Sequence, residues 1–255
     1  MDPLATLSGF GVGAIVGMTG VGGGSLMTPL LLSVFKLNPA VAIGTDLWFA
    51  AITKAAGSVS HHRAGHVDWR ITARMLAGSI PAALATIALM HLTGLTKGWA
   101  HALTFSLGIA LLLTAVVVFY KQAWHAVGLR LERWIPESSK GALTVLCGVL
   151  LGVLVSLSSI GAGAIGATLI MLLYPRLVSH RVVGTDIAHA VPLTLVAGIG
   201  HATLGHVDWE LLLALVIGSV PGIWLGAQLT RKMPERFVRT LLCISLVTAG
   251  LKVIH

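Results

Sequence analysis

The chain has 255 residues, of which 56% are hydrophobic and only 10% charged, with a net charge of +8 and a mean hydropathy of +0.91. Soluble domains carry roughly 25% charged residues, so this chain cannot cover a water-facing surface and reads as a polytopic helical membrane protein. The excess of Lys and Arg does not indicate nucleic acid, because those residues are scattered in short loops, where they set topology.

From the start, Met1 to Phe10 lack a basic n-region and an Ala-x-Ala site, so mature sequence rather than a signal peptide is expected. The first apolar region, 4–35, is interrupted by Gly20-Val21-Gly22-Gly23-Gly24. It is too long for one span and short of the ~40 residues that two spans need. Crossings are expected at 40–60, 70–92 and 98–120. The linker 121–140, with Trp124, Leu129 and Trp134 among Arg130, Glu132 and Arg133, fits either an interfacial amphipathic helix or a plain spacer. A second interrupted region at 141–174 and crossings at 181–202, 209–230 and 236–253 complete the chain. Cys147 and Cys243 sit singly in apolar helices as packing residues, with no metal or disulfide spacing.

This order repeats. Gly65-His66-Val67-Asp68-Trp69 returns as Gly205-His206-Val207-Asp208-Trp209, Gly44-Thr45-Asp46 as Gly184-Thr185-Asp186, and Gly78-Ser79-Ile80-Pro81 as Gly218-Ser219-Val220-Pro221. Between 41–81 and 181–221 there are 13 identities in 41 ungapped positions. The glycine loop faces a weaker copy, Ser159-Ile160-Gly161-Ala162-Gly163. Tandem halves with polar motifs in an oily background point to a transporter whose site lies at the repeat interface.

Positive charge orients the halves. If each interrupted region is a re-entrant hairpin, 13 Lys and Arg fall on one side and 3 on the other, with Lys54 inside the membrane. Single broken spans give an 8 to 8 split. The expected fold is therefore all-α: two inverted repeats, each a hairpin plus three transmembrane helices. Residues 1–120 form the first repeat, 121–140 a cytoplasmic linker and 141–255 the second repeat, with both termini outside.

Candidate site residues follow from the cost of polar groups at membrane depth. Non-helical backbone there must line a cavity or be buried in protein, and a helix starting from such a loop offers free N–H groups to an anion. This selects Gly20, Gly22, Gly23, Gly24 and Ser25 in the first half, and Ser159, Gly161 and Gly163 in the second. The alternative is that these glycines only allow close helix packing. Thr45 and Thr185 join the substrate set by their place in the repeated motif. Lys54 joins it as the one Lys or Arg that the charge split leaves inside the membrane. Asp46, Asp186, His189, His61 and His201 are candidates for proton coupling or gating, with backbone hydrogen bonding by the two aspartates as the alternative. Asp68 and Asp208 are expected as N-caps, Trp69 and Trp209 as interfacial residues. No cofactor motif is present. Ser25, Ser158 and Ser159 lie in no Gly-x-Ser-x-Gly elbow, so no enzyme is expected.

The loop Gly20-Val21-Gly22-Gly23-Gly24 with Pro29 and Ala42-Ile43-Gly44-Thr45 resembles the TauE/SafE family of sulfite exporters. The stretch from Gly44-Thr45-Asp46-Leu47 through Thr53-Lys54 to His61-His62-Arg63 and Val67-Asp68-Trp69 is similar to one branch of it. The resemblance covers essentially the whole chain. It implies a multi-pass transporter of small sulfur-containing anions, such as sulfite, sulfoacetate or other sulfonates, often an exporter of the bacterial plasma membrane. The second half departs from the pattern at its degraded glycine loop. Expected partners are the anion, the bilayer and protons, with a homodimer as an option and no nucleic acid. The alternative reading is a divalent-metal or cation carrier using the membrane histidines.

Overall fold

The computed structural model describes residues 3–19, 24–94, 97–229 and 235–254, all helix or short connection. In chain order the helices are α1 (Pro3–Thr19), α2 (Gly24–Ser33), α3 (Pro39–Arg63), α4 (Trp69–Thr93), α5 (Lys97–Phe119), α6 (Lys121–Leu131), α7 (Glu137–Ser158), α8 (Ala164–Leu173), α9 (Ser179–Thr203), α10 (Trp209–Leu229) and α11 (Glu235–Ile254). No strand occurs among the described residues. Gly20, Gly22 and Gly23 lie outside them, and so does the side chain of Ser25; Gly24 opens α2.

Local sequence sets the helix ends. Asn38 caps α3 by accepting from the Val41 N–H at 2.9 Å, with Pro39 at the first position. The duplicated Gly-His-Val-Asp-Trp segment is a helix stop followed by a helix start. Gly65 and Gly205 take left-handed φ of 70° and 74°, and the next N–H closes back on the His61 or His201 carbonyl at 2.9 Å. Asp68 then accepts from the Arg70 and Ile71 N–H groups, and Asp208 from that of Leu211. Trp69 and Trp209 are each 54% exposed at these ends, where an interfacial ring belongs.

Five described helices are long and apolar enough to cross a membrane: Trp69–Thr93, His101–Phe119, Glu137–Ser158, Ser179–Thr203 and Trp209–Gly226. The expected crossing at 40–60 is present as the 25-residue α3 but is not among the five. Its polar content, Asp46, Lys54, Ser58, Ser60, His61 and His62, accounts for this. Helices α4, α9 and α10 continue through Pro81, Pro192 and Pro221.

Glycine brings the helices together, since lipid tails are as apolar as the side chains and association draws on close backbone packing and interhelical hydrogen bonds. In α1, Gly9 and Gly13 lie on Leu215 and Ser219 of α10; in α10, Gly218, Gly222 and Gly226 lie on Thr6, Phe10 and Ala14 of α1. The numbers rise together, so these helices run parallel. Helices α4 and α7 do the same, through Gly78 on Val145 and Val149, and through Gly148 and Gly152 on Met75 and Ser79. By contrast α3 and α9 run antiparallel, with Gly44 beside His201 and His206 and the Trp48 indole donating to the Gly198 carbonyl at 2.9 Å.

Beyond its turn at 159–163 the chain comes back. Tyr174, after α8, meets the Thr144 hydroxyl near the start of α7 at 2.8 Å, Pro175 accepts from His125 at 3.1 Å, and Arg176 pairs with Glu132 at 3.0 Å. Helix α6 lies against α8 through Gly128, and Trp134 beyond it is 85% exposed.

At Gly78 and Gly222 any Cβ would overlap partner backbone, whereas nothing lies within 4 Å of the Cβ position at Gly11. Gly78→Val and Gly222→Val are expected to destabilise the bundle by ~1–3 kcal/mol or more. Gly11→Val should leave the melting temperature of the detergent-purified protein unchanged, and equal losses at all three sites would refute the packing assignment.

Candidate functional site

The two most strongly repeated motifs contact each other. The Thr45 hydroxyl accepts the Asp208 N–H at 3.0 Å, and Thr185 accepts the Asp68 N–H at 2.9 Å. Gly44 and Gly184 leave room for the His206 and His66 carbonyls, where a Cβ would collide. Each Gly-Thr-Asp helix segment therefore seats the Gly-His-Val-Asp-Trp turn of the other half. One such clip stands near each end of the antiparallel α3/α9 pair. Arg181 adds an ion pair to Asp68 at 3.3 Å in one clip.

The third residue of the motif turns the other way. Asp46 accepts a hydrogen bond from the Thr28 hydroxyl of α2, and the Ser159 hydroxyl is directed at it from the second interrupted region. Asp186 lies over Gly166, whose Cβ would overlap Oδ1, and the Gly163 N–H is directed at its carboxylate. Asp186 thus occupies the positive end of α8. Backbone geometry there depends on glycine: φ is 124° at Gly161 and 141° at Gly163, and Ser159 is left-handed at 58°.

Lys54 completes the centre. Its Nζ donates to the Ala162 carbonyl at 2.5 Å and acts electrostatically on both Asp46 and Asp186. Asp46 and Lys54 are two turns apart on one helix, and the 159–163 tip lies between them. His189 is also within the influence of Lys54, and its Nε2 meets the Ser79 hydroxyl of α4 at 2.9 Å. Exposure is 0% for Asp46 and His189, 3% for Asp186 and 7% for Lys54. Buried polar atoms without a hydrogen-bond partner among the described residues include four at this centre: Asp46 Oδ1, Asp186 Oδ1, Ser159 Oγ and His189 Nδ1. With all three ionised, Asp46, Asp186 and Lys54 sum to a formal charge of −1.

The tertiary structure thus gathers Asp46, Lys54, Ser159, Gly161, Gly163, Asp186 and His189, and places Thr45 and Thr185 one residue away in the clips. It adds Thr28 and Ser79, which the sequence reading did not single out. Ser79 carried a faint signal in its repeated Gly-Ser-x-Pro segment, and Thr28 carried none.

Of the other histidines, His61, His66 and His180 gather at one end of the α3/α9 pair, and His201 and His206 at the other. At one end the ring centroids of His61 and His66 are 5.6 Å apart, and those of His66 and His180 4.4 Å. At the other, His201 Nε2 meets the Ser156 carbonyl at 2.9 Å and His201 Nδ1 meets His206 Nδ1 at 3.2 Å. Among the described residues no group of three His, Cys, Asp or Glu is placed to hold a metal ion.

Comparison with known proteins follows the same lines. Residues 5–253 match the family model described as sulfite exporter TauE/SafE. The chain is 38% identical over 251 residues to the probable membrane transporter protein YjnA of Bacillus subtilis (strain 168), covering 97% of this chain and 98% of that one. It is 27% identical over 244 residues to the probable membrane transporter protein YdhB of the same organism, covering 95% and 96%. A probable membrane transporter protein of Methanocaldococcus jannaschii, MJ0441, is 24% identical over 266 residues, covering 98% and 94%. No solved structure matches the chain.

Two outcomes follow from the geometry. Gly163→Val forces a side chain into a φ open only to glycine and moves the N–H facing Asp186. It should abolish transport in proteoliposomes while membrane insertion persists, and retained transport would leave this glycine a packing residue. In the turn after α9, burial holds the His206 imidazole below its ordinary 6.5. The unfolded ring binds a proton that the folded ring refuses, so this contribution to stability is full above pH 6.5 and is lost as pH falls below it. The melting temperature should fall with acidification below pH 6.5, and less steeply in His206→Gln. Parallel curves would refute the assignment.

Proposed function

Because the chain belongs to the sulfite exporter TauE/SafE family and is a multi-pass inner-membrane transporter, we propose that it is a secondary transporter that exports a small sulfur-containing anion, such as sulfite or an organosulfonate. The observation that carries this reading is the buried Asp46, Lys54 and Asp186 centre around the 159–163 tip. A fixed ammonium and a helix N-terminus at membrane depth suit an anion.

Charge arithmetic adds proton coupling. The resident carboxylate of Asp186 holds the position at the α8 N-terminus that a substrate anion would take. While both aspartates are ionised, the net charge of −1 repels an anion. A proton on one of them removes that repulsion, and a second leaves the centre at +1. Anion binding and proton uptake are then one event, with Asp46 and Asp186 as the proton carriers and His189 beside them.

We read the architecture as two inverted repeats, 1–120 and 141–255, joined by a cytoplasmic linker at 121–140, with both termini outside. Support comes from the antiparallel α3/α9 pair, from the parallel pairs that recur as α1 with α10 and α7 with α4, and from the return of α8 to the start of α7. Rocking of one repeat against the other, with the two clips opening in turn, exposes the centre to each side.

A thermal-shift series on purified protein tests this against sulfite, sulfoacetate, taurine, thiosulfate and sulfate. At least one sulfur oxyanion should raise the melting temperature, and more so at lower pH. Lys54→Met should weaken that anion about thirty-fold or more, the equivalent of ~2 kcal/mol for losing a buried charged partner. Lys54→Arg should retain binding but slow transport. An unchanged dissociation constant in Lys54→Met refutes the role of Lys54, and no shift with any anion at any pH refutes the anion reading.

A further inference from the structure

Ser79 and His189 are separated by 110 residues, and each is 0% exposed. Ser79 Oγ lies 2.9 Å from His189 Nε2, and no other hydrogen bond of this hydroxyl is present among the described residues. That is unusual for a helical serine, whose hydroxyl ordinarily bonds a carbonyl one turn back. Its repeat counterpart Ser219 does so, donating to the Val216 carbonyl at 3.0 Å. The Ser79 backbone is held by the α4/α7 crossing, where Gly152 lies against its Cα and carbonyl. The hydroxyl is therefore aimed at the imidazole by a rigid contact.

Hydrogen-bond counting then fixes the tautomer. If His189 carried its proton on Nε2 and donated to Ser79, the hydroxyl hydrogen would have no acceptor and the Nδ1 lone pair no donor. If Ser79 donates to a bare Nε2, the hydroxyl is satisfied and a single group remains, an N–H on Nδ1. Nδ1 is a buried atom without a partner, on the same helix as Asp186 and in the neighbourhood of Lys54.

We propose that Ser79 is a positioning residue for transport: its hydroxyl holds His189 as the Nδ1–H tautomer, so that a neutral donor beside Lys54 binds an acceptor oxygen of the anion. This rests on the anion-transporter reading above. It gives the centre two donors of different kinds, one charged and one neutral, and it disfavours cations, which would need the Nδ1 lone pair.

The test is nitrogen-15 NMR of histidine-labelled protein, with the His189 signal identified by its loss in His189→Gln. Wild type should show a neutral ring protonated on Nδ1, shifted by sulfite or sulfoacetate. Ser79→Ala should move the proton to Nε2 or mix the tautomers, and weaken anion binding about ten-fold, a size typical of a hydrogen bond to a charged group. His189→Asn keeps a donor near the Nδ1 position, so it should retain affinity and make Ser79→Ala silent in the double variant. An Nε2–H or doubly protonated ring in wild type overturns the inference whatever the substrate, and so decides the matter even if Ser79→Ala does not fold. A tautomer unchanged in Ser79→Ala also overturns it. An Nδ1–H that depends on Ser79 but responds to no anion refutes the anion reading and the donor role, leaving only the tautomer assignment.

Discussion

A charge in hydrocarbon is tolerated only where neighbours replace the water it lost, and this constraint organises the molecule around Asp46, Lys54 and Asp186. None of the three can be matched within its own helix. Asp46 reaches the Thr28 hydroxyl, Asp186 reaches the start of α8, and Lys54 takes the Ala162 carbonyl left free where α7 stops. The interrupted helix is thus the partner of the ammonium. A continuous helix would satisfy its own carbonyls and offer the ammonium nothing.

Close approach comes from glycine and register from the clips. Parallel seams between α1 and α10 and between α4 and α7 leave no space for a side chain at Gly78, Gly148, Gly218 or Gly222. The two clips then fix how far α3 and α9 slide past the turns of the opposite half. Each holds through a side-chain-to-backbone hydrogen bond of about 3 Å, and in one of them Arg181 adds an ion pair to Asp68.

The sequence repeat is kept at some of these positions and lost at others. Both halves retain the carboxylate, the threonine clip and the turn. Lys54 stands opposite Thr194, which bonds the Ala190 carbonyl in the ordinary helical way, and His189 stands opposite Phe49, a fully buried core residue. The ammonium comes from α3 and the imidazole from α9, each without a counterpart at the equivalent position of the other repeat.

The sequence alone determined the solvent, the helical class, the duplication and the helix ends, because these depend on composition and on residues a few positions apart. The Asp68 and Asp208 caps and the left-handed Gly65 and Gly205 are local events of this kind. It also marked Asp46, Lys54 and Asp186, since an ionisable residue in an apolar run is conspicuous at any distance. Partnership was decided only in three dimensions. Why Gly-Thr-Asp and Gly-His-Val-Asp-Trp persist together became visible when contacts spanning 117 and 163 residues joined them. Ser79 could not be told from Ser219 by sequence, for the two occupy the same repeated segment. What separates them is the helix that packs opposite, which presents an imidazole to one hydroxyl and leaves the other to its own backbone.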